Sequence, residues 1–224
     1  MKIKVCGMKY PDNIHELGKL PIDYMGFIIY SKSPRYLLDP NLGSENFTED
    51  RLKEKRDLLD TIPSHIKKVG VVVNDIPNLA ISYIKDFGMN CIQLHGMENH
   101  FFCEFIREES PGTEIIKAIS VSEISDLERT KKYTKDDCDY FLFDTKTPQH
   151  GGSGQKFDWN ILNGYNGHIP FFLSGGISID DVKTINGIKH PQLYGLDLNS
   201  KFEIEPGLKD IELLKQFIQQ LKYE

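Results

Sequence analysis

The stretch from Val69 to His95, VGVVVNDIPNLAISYIKDFGMNCIQLH, decides the fold class. Val69–Val73 is short, apolar and rich in β-branched residues, without the alternation of a strand that keeps one face wet. Near-continuous hydrophobicity of this kind belongs to parallel strands covered on both faces. Asp75 and Pro77 then supply helix-start signals and Gly88 supplies the stop. Cys91–His95 is the next apolar run. Strand, helix and strand in this order make one βα unit and the start of another.

Six further runs of the same character flank this unit: Ile3–Cys6, Met25–Tyr30, Ile115–Ser120, Tyr140–Asp144, Pro170–Ser174 and Tyr194–Leu198. Helical signals fall between them. Ser122, Ser125 and Leu127 open one segment. Lys209–Lys222 forms another, with Ile211, Leu214, Phe217, Ile218 and Leu221 on one stripe. Most runs recur at roughly 22–30 residues, which suits repeated βα units. The interval after the second run is longer. Leu38–Glu54, polar and containing Pro40, Gly43 and Asn46, reads as an extended surface loop leading into a helix near Glu49–Ile62. A doubly wound sheet is the structural alternative. Eight consecutive units favour a closed (β/α)8 TIM barrel, which leaves no sheet edge. No linker or low-complexity tract divides the chain, so residues 1–224 read as a single domain.

Hydrophobic residues make up 39% and charged residues 27% of 224 positions, enough for one sizeable core and too apolar for a disordered chain. A net charge of −6 argues against a dedicated nucleic-acid binder, whereas a small anion needs only a few local donors. No apolar run approaches the roughly 18–20 residues that span a bilayer, and MKIKVCGMKYPD at the N-terminus lacks the apolar stretch of a secretory signal. Cys6, Cys91, Cys103 and Cys138 form no CxxC pair and lack zinc spacing. They read as reduced thiols of a cytoplasmic protein.

The polar residues that interrupt the apolar runs fall at their C-terminal ends, the face on which barrels of this kind build active sites. Cys6-Gly7 ends the first run, Ser33-Pro34-Arg35 follows the second, and Asn74-Asp75 follows the third. His95-Gly96 ends the fourth, Asp144 the sixth, Ser174-Gly175-Gly176 the seventh, and Asp197 through Ser200 the eighth.

In chain order, KVCGM (4–8), SPRY (33–36), VGVVVN (69–74), QLHG (93–96), FDTKTPQHGGSG (143–154), FDW (157–159), SGGI (174–177) and DLNSKFEIEPGLKD (197–210) resemble phosphoribosylanthranilate isomerases. The resemblance covers nearly the whole chain. It implies an Amadori rearrangement in tryptophan biosynthesis, in which the furanose of N-(5-phosphoribosyl)anthranilate opens and becomes an aminoketose. It implies Cys6 as general base and Asp144 as general acid, with a small phosphosugar as partner and neither cofactor nor metal.

Each implied role carries a physical requirement. A thiolate at Cys6 is a competent base only if neighbouring donors or a cationic intermediate favour it. Lys4 lies on the same side of the strand as Cys6, because side chains alternate, and it would itself need a carboxylate; Asp197 on the eighth strand is the first choice. Asp144 must keep its proton, which burial or nearby negative charge would favour. Arg35 suits a bidentate grip on the anthranilate carboxylate. Gly175, Gly176, Asn199 and Ser200 are placed to receive the phosphate. Gly151–Gly154, with Gly154 in the binding set, resembles the family's loop that folds over substrate. Asp197 also belongs to the substrate-binding set. His95 receives no role, Trp159 is read as packing, and the other three cysteines as buried thiols.

The sequence departs from the family pattern at Lys201, where a glycine is usual, and in the length of the segment after Arg35. Lys201 either adds a cation to the phosphate site or turns outward. The aminoketose isomerase of histidine biosynthesis, which carries a carboxylate where Cys6 stands, and indole-glycerol-phosphate synthase, which needs catalytic lysines, are the rival enzymes. A non-catalytic phosphosugar-binding protein is the rival of another class. Monomer and homodimer both fit.

Overall fold

A computed structural model describes residues 1–38, 49–146 and 156–222. Eight parallel strands close into a barrel in sequence order. They are β1 (Lys2–Cys6), β2 (Tyr24–Ile28), β3 (Lys67–Val72), β4 (Cys91–Leu94), β5 (Glu114–Val121), β6 (Tyr140–Thr145), β7 (Phe171–Leu173) and β8 (Leu193–Leu198). Each apolar run expected from the sequence is a strand. The eighth pairs back onto the first, with Lys4 opposite Asp197. The doubly wound alternative is thereby excluded.

The outer layer contains α1 (Pro11–Leu17), α2 (Glu49–Asp60), α3 (Pro77–Phe87), α4 (His100–Glu109), α5 (Val182–Gly187) and α6 (Ile211–Lys222). In α3, Pro77 sits in the first turn and Gly88, at φ 57°, ends it with its N–H on the carbonyl of Ile84, as expected. Asp75 does not cap it, since Ile76 is the N-cap and the Asp75 carboxylate accepts from the Ile76 N–H instead. The helix expected after Asn46 is present as α2. The part of the Leu38–Glu54 segment between 39 and 48 lies outside the described residues.

Two further expectations are corrected. The segment opened by Ser122 is a 3-10 stretch, Ile124–Lys132, rather than an α-helix. Its start is fixed by Asp126, a residue the sequence reading did not use, whose carboxylate accepts from the backbone N–H groups of Ser122 and Glu123. The last helix begins at Ile211, not Lys209. Asp210 caps it by accepting from the N–H of Leu213. Lys209 instead belongs to a small antiparallel hairpin, β9 (Glu203–Glu205) with β10 (Leu208–Lys209). Pro206 and Gly207, at φ 93°, make the turn between them.

The barrel interior is filled in layers. At the N-terminal end Tyr24, Tyr140, Phe172 and Tyr194 form an aromatic floor, with Tyr24 edge-on to Phe172 at 5.3 Å and the Tyr24 and Tyr194 hydroxyls 3.1 Å apart. Val69, Val71, Cys91, Ile116 and Leu142 pack above it. A larger apolar shell joins the outer faces of the strands to the helices.

Candidate active site

Cys6 closes β1 and points into the barrel, where only 3% of it is exposed. Space for its sulfur comes from Gly26, its register partner on β2. A Cβ at Gly26 would stand 2.8 Å from Cys6 Sγ and 3.1 Å from its Cα. Sequence reading missed this position, although a glycine inside a strand marks a close approach.

Beneath the thiol, the Lys4 ammonium donates to Asp197 Oδ1 at 2.7 Å, and both side chains are buried. The expected partnership is therefore present. Burial works against the charge on Lys4, but Asp197 and Cys6 outweigh it and raise the lysine above its ordinary value. Asp197 Oδ2 accepts from Ser174 Oγ at 3.2 Å, so each of its oxygens already has a protein donor.

The thiol departs from the requirement stated for a base. Burial pushes the Cys6 thiol up, and this outweighs the opposing pull of Lys4 and Lys209; Asp197 adds to the rise. Burial therefore favours the thiol form of Cys6.

Asp144 ends β6 and is 8% exposed. Its Oδ1 accepts from the N–H of Thr145 at 2.9 Å, and its Oδ2 lies 3.4 Å from His95 Nε2. The other ring nitrogen, His95 Nδ1, is 2.8 Å from Gln93 Nε2. His95, given no role from sequence, thus stands against the proposed acid. The turn carrying it is held by Lys117, whose buried ammonium donates to the carbonyl of Gly96 at 2.8 Å and to Glu98 Oε2 at 3.0 Å. Gly175, at φ 89°, is needed beside Asp144: a Cβ there would collide with Thr145 and lie 3.3 Å from Asp144 Oδ1. Gly176 is also at positive φ, 68°.

Arg35 folds across the barrel mouth and pairs with Glu203, Nε to Oε1 at 2.8 Å and Nη2 to Oε2 at 2.7 Å. The Nε–Nη2 edge of the Arg35 guanidinium is thus already occupied by a protein carboxylate. Glu203 also accepts from Lys209 Nζ at 2.6 Å, and Lys209 donates to Asn199 Oδ1 at 2.8 Å. Neither Glu203 nor Lys209 was singled out from sequence, though both lie in the 197–210 motif. Asn199 and Ser200 follow β8 and are partly exposed, while Lys201 turns outward. Trp159 packs partly buried against the core with the Lys156 ammonium 5.9 Å from its ring. Cys91, Cys103 and Cys138 are buried thiols as expected. Gly154 lies outside the described residues.

The family model for N-(5'-phosphoribosyl)anthranilate isomerase matches residues 3–220. The chain belongs to this family. The isomerase of Parabacteroides distasonis is 42% identical over 221 residues, 99% of this chain and 93% of the relative. The isomerase structure from Thermotoga maritima superposes with a TM-score of 0.80 at 29% identity, over 100% of both chains; that enzyme is described as dimeric. A second isomerase structure, holding reduced 1-(o-carboxyphenylamino)-1-deoxyribulose 5-phosphate, superposes at 0.78 with 26% identity, again over 100% of both chains. The reaction of this isomerase is the conversion of N-(5-phosphoribosyl)anthranilate to 1-(2-carboxyphenylamino)-1-deoxyribulose 5-phosphate, a step of tryptophan biosynthesis. The rival enzyme readings and the non-catalytic binding protein are set aside.

Proposed function

We propose that Asp144 and Cys6 carry the rearrangement as acid and base in that order. Asp144 protonates the furanose oxygen, the ring opens, and a cationic iminium forms between the sugar C1 and the anthranilate nitrogen. That positive charge offsets the burial cost of a thiolate. Cys6 then releases its proton to solvent, takes the proton from C2, and leaves an enolamine that tautomerises to the aminoketose. Asp144 regains its proton from solvent. The position of Cys6, buried yet beside Lys4 and held open by Gly26, is the observation that carries this reading.

Arg35 receives the anthranilate carboxylate, while Gly154, Gly175, Gly176, Asn199 and Ser200 receive the phosphate. Asp197 acts at the substrate chiefly through Lys4 and Ser174, which occupy its oxygens. His95 orients Asp144. Residues 1–224 serve as one catalytic unit with a phosphosugar partner rather than a nucleic acid or a membrane; among the described residues no helix is long and apolar enough to cross one. The four free thiols suit the cytoplasm, and the working form is a monomer or a homodimer.

The test follows loss of substrate fluorescence during turnover. Cys6→Ser and Asp144→Asn should each lower kcat by about 10²-fold or more, as loss of a general base or acid commonly does. Near wild-type turnover in either variant removes that residue from the mechanism.

A further inference from the structure

The hairpin β9–β10 contributes two buried charged residues to the barrel mouth that the acid–base pair does not use. Glu203 and Lys209 have side-chain exposures of 5% and 0%. Taking ions out of water is costly, so a buried pair persists only where its geometry is good and further hydrogen bonds complete it. Here they are complete on both sides. Glu203 grips the Nε–Nη2 edge of Arg35 and accepts from Lys209 and from the N–H of Gly207. Lys209 spends its second bond on Asn199 Oδ1. Its backbone is fixed by Asn13 of α1, which donates to the Lys209 carbonyl at 2.9 Å and accepts from its N–H at 2.7 Å.

The chain of contacts therefore runs Arg35, Glu203, Lys209, Asn199. Its two ends converge over Gly7, the residue after Cys6. A Cβ there would lie 2.7 Å from Arg35 Cδ and 3.0 Å from Asn199 Oδ1. Arg35 is the carboxylate contact of the reading above and Asn199 a phosphate contact, and the present inference rests on that reading.

We propose that Glu203 and Lys209 are positioning residues that join Arg35 to the loop after β8, so the carboxylate and phosphate ends of the substrate are held in one register over Cys6. With both cations charged, Arg35, Glu203 and Lys209 sum to one positive charge, which an arriving substrate anion neutralises. Burial pulls Lys209 down to about 8, against the pull of Glu203 and Cys6. The groups that face it are Cys6 on β1, Arg35 after β2, Glu203 on β9, Asn199 after β8 and Asn13 on α1. Anion binding favours the ammonium form, so ligand affinity should fall as pH rises through about 8.

The experiment is calorimetric titration with the reduced product analogue, on the wild type, Lys209→Met, Glu203→Gln, the double variant and Arg35→Ala, each checked for a native melting transition. Each single positioning variant should weaken binding by about tenfold or more, as loss of a supporting hydrogen-bond partner does. The double variant should be no weaker than the worse single, because both remove one bridge. The fall in affinity through about pH 8 should vanish in Lys209→Met. Strictly additive losses, wild-type affinity in a folded Lys209→Met, or a pH dependence that survives it would overturn the bridge. If Lys209→Met does not fold, wild-type affinity that stays level through that pH overturns it. Unchanged binding by Arg35→Ala would instead remove the carboxylate contact itself.

Discussion

Gly26 lies opposite Cys6 in the β1–β2 register, and the place its Cβ would occupy is 2.8 Å from the Cys6 sulfur. The thiol thus occupies volume that the neighbouring strand gives up by lacking a side chain. Because the Cys6 Cα is also 3.1 Å from that point, backbone as well as sulfur would have to move. Gly26→Ala is expected to cost about 1–3 kcal/mol of stability, the usual range for overpacking a filled core, and to lower kcat more steeply than its melting change suggests. Chemical denaturation and steady-state turnover measure the two. A variant that loses stability but keeps kcat would show that the thiol tolerates displacement.

Cys6 is held as a thiol by burial in the absence of ligand. Its alkylation by iodoacetamide should therefore be slow at neutral pH and should quicken only as pH rises beyond the ordinary thiol range. The direction follows from the reactive form: raising the pKa removes thiolate at a given pH. Mass-spectrometric mapping of the alkylated cysteine across pH checks it. Rapid modification of Cys6 at pH 7 would mean that the cations around it prevail over burial.

Lys4→Met strips Asp197 of its ammonium partner while leaving the carboxylate buried. Removing one member of such a pair costs about 3–5 kcal/mol. Adding Asp197→Asn should return much of that loss without restoring turnover, since the orphaned charge is gone but the positive field under Cys6 is gone too. Equilibrium denaturation of the wild type and the two variants decides this. Equal stability of Lys4→Met and wild type would contradict the pairing.

Glu203 is opposed by burial, yet Arg35 and Lys209 hold its carboxyl below the usual range. A carboxyl depressed in the folded state stabilises the fold above its unfolded pKa, and the contribution fades as pH falls through the lower folded value. Glu203→Gln should therefore melt below the wild type at neutral pH, and the gap should narrow on acidification. A gap that widens in acid would have the wrong sign for this assignment.

His95→Leu is expected to lower kcat by about tenfold, the scale of a lost supporting partner, with KM nearly unchanged. It would remove the group 3.4 Å from Asp144 Oδ2 without touching the residues assigned to carboxylate or phosphate. A rise in KM at constant kcat would move His95 from orienting Asp144 to holding substrate.

The strands were legible because parallel strands buried on both faces write themselves as continuous apolar runs, and the ends of α3 because Pro77 and Gly88 act locally. Lys4 and Asp197 were legible because strand alternation and barrel closure place them together. What escaped was set by tertiary neighbours. Ile124–Lys132 has a helix-like opening, but its 3-10 winding is not written in that opening. Lys209 looked like the start of an amphipathic helix, and the available correction was Asp210, a capping residue type directly before Ile211. Glu203 gave no local sign of its role, since its partner Arg35 is 168 residues away. Burial of the Cys6 thiol likewise depends on Gly26 and on the strands around it, not on its own motif.

The ion pair between Lys4 and Asp197 joins residues 193 positions apart, at the seam where the last strand meets the first. In folding terms it acts as a checkpoint on ring closure. A slip of one residue would turn Asp197 to the outer face and strand the Lys4 ammonium in the interior. Incorrect closures are thus penalised by an unpaired buried charge. The same two side chains that set the field beneath the thiol also reject barrels sealed out of step.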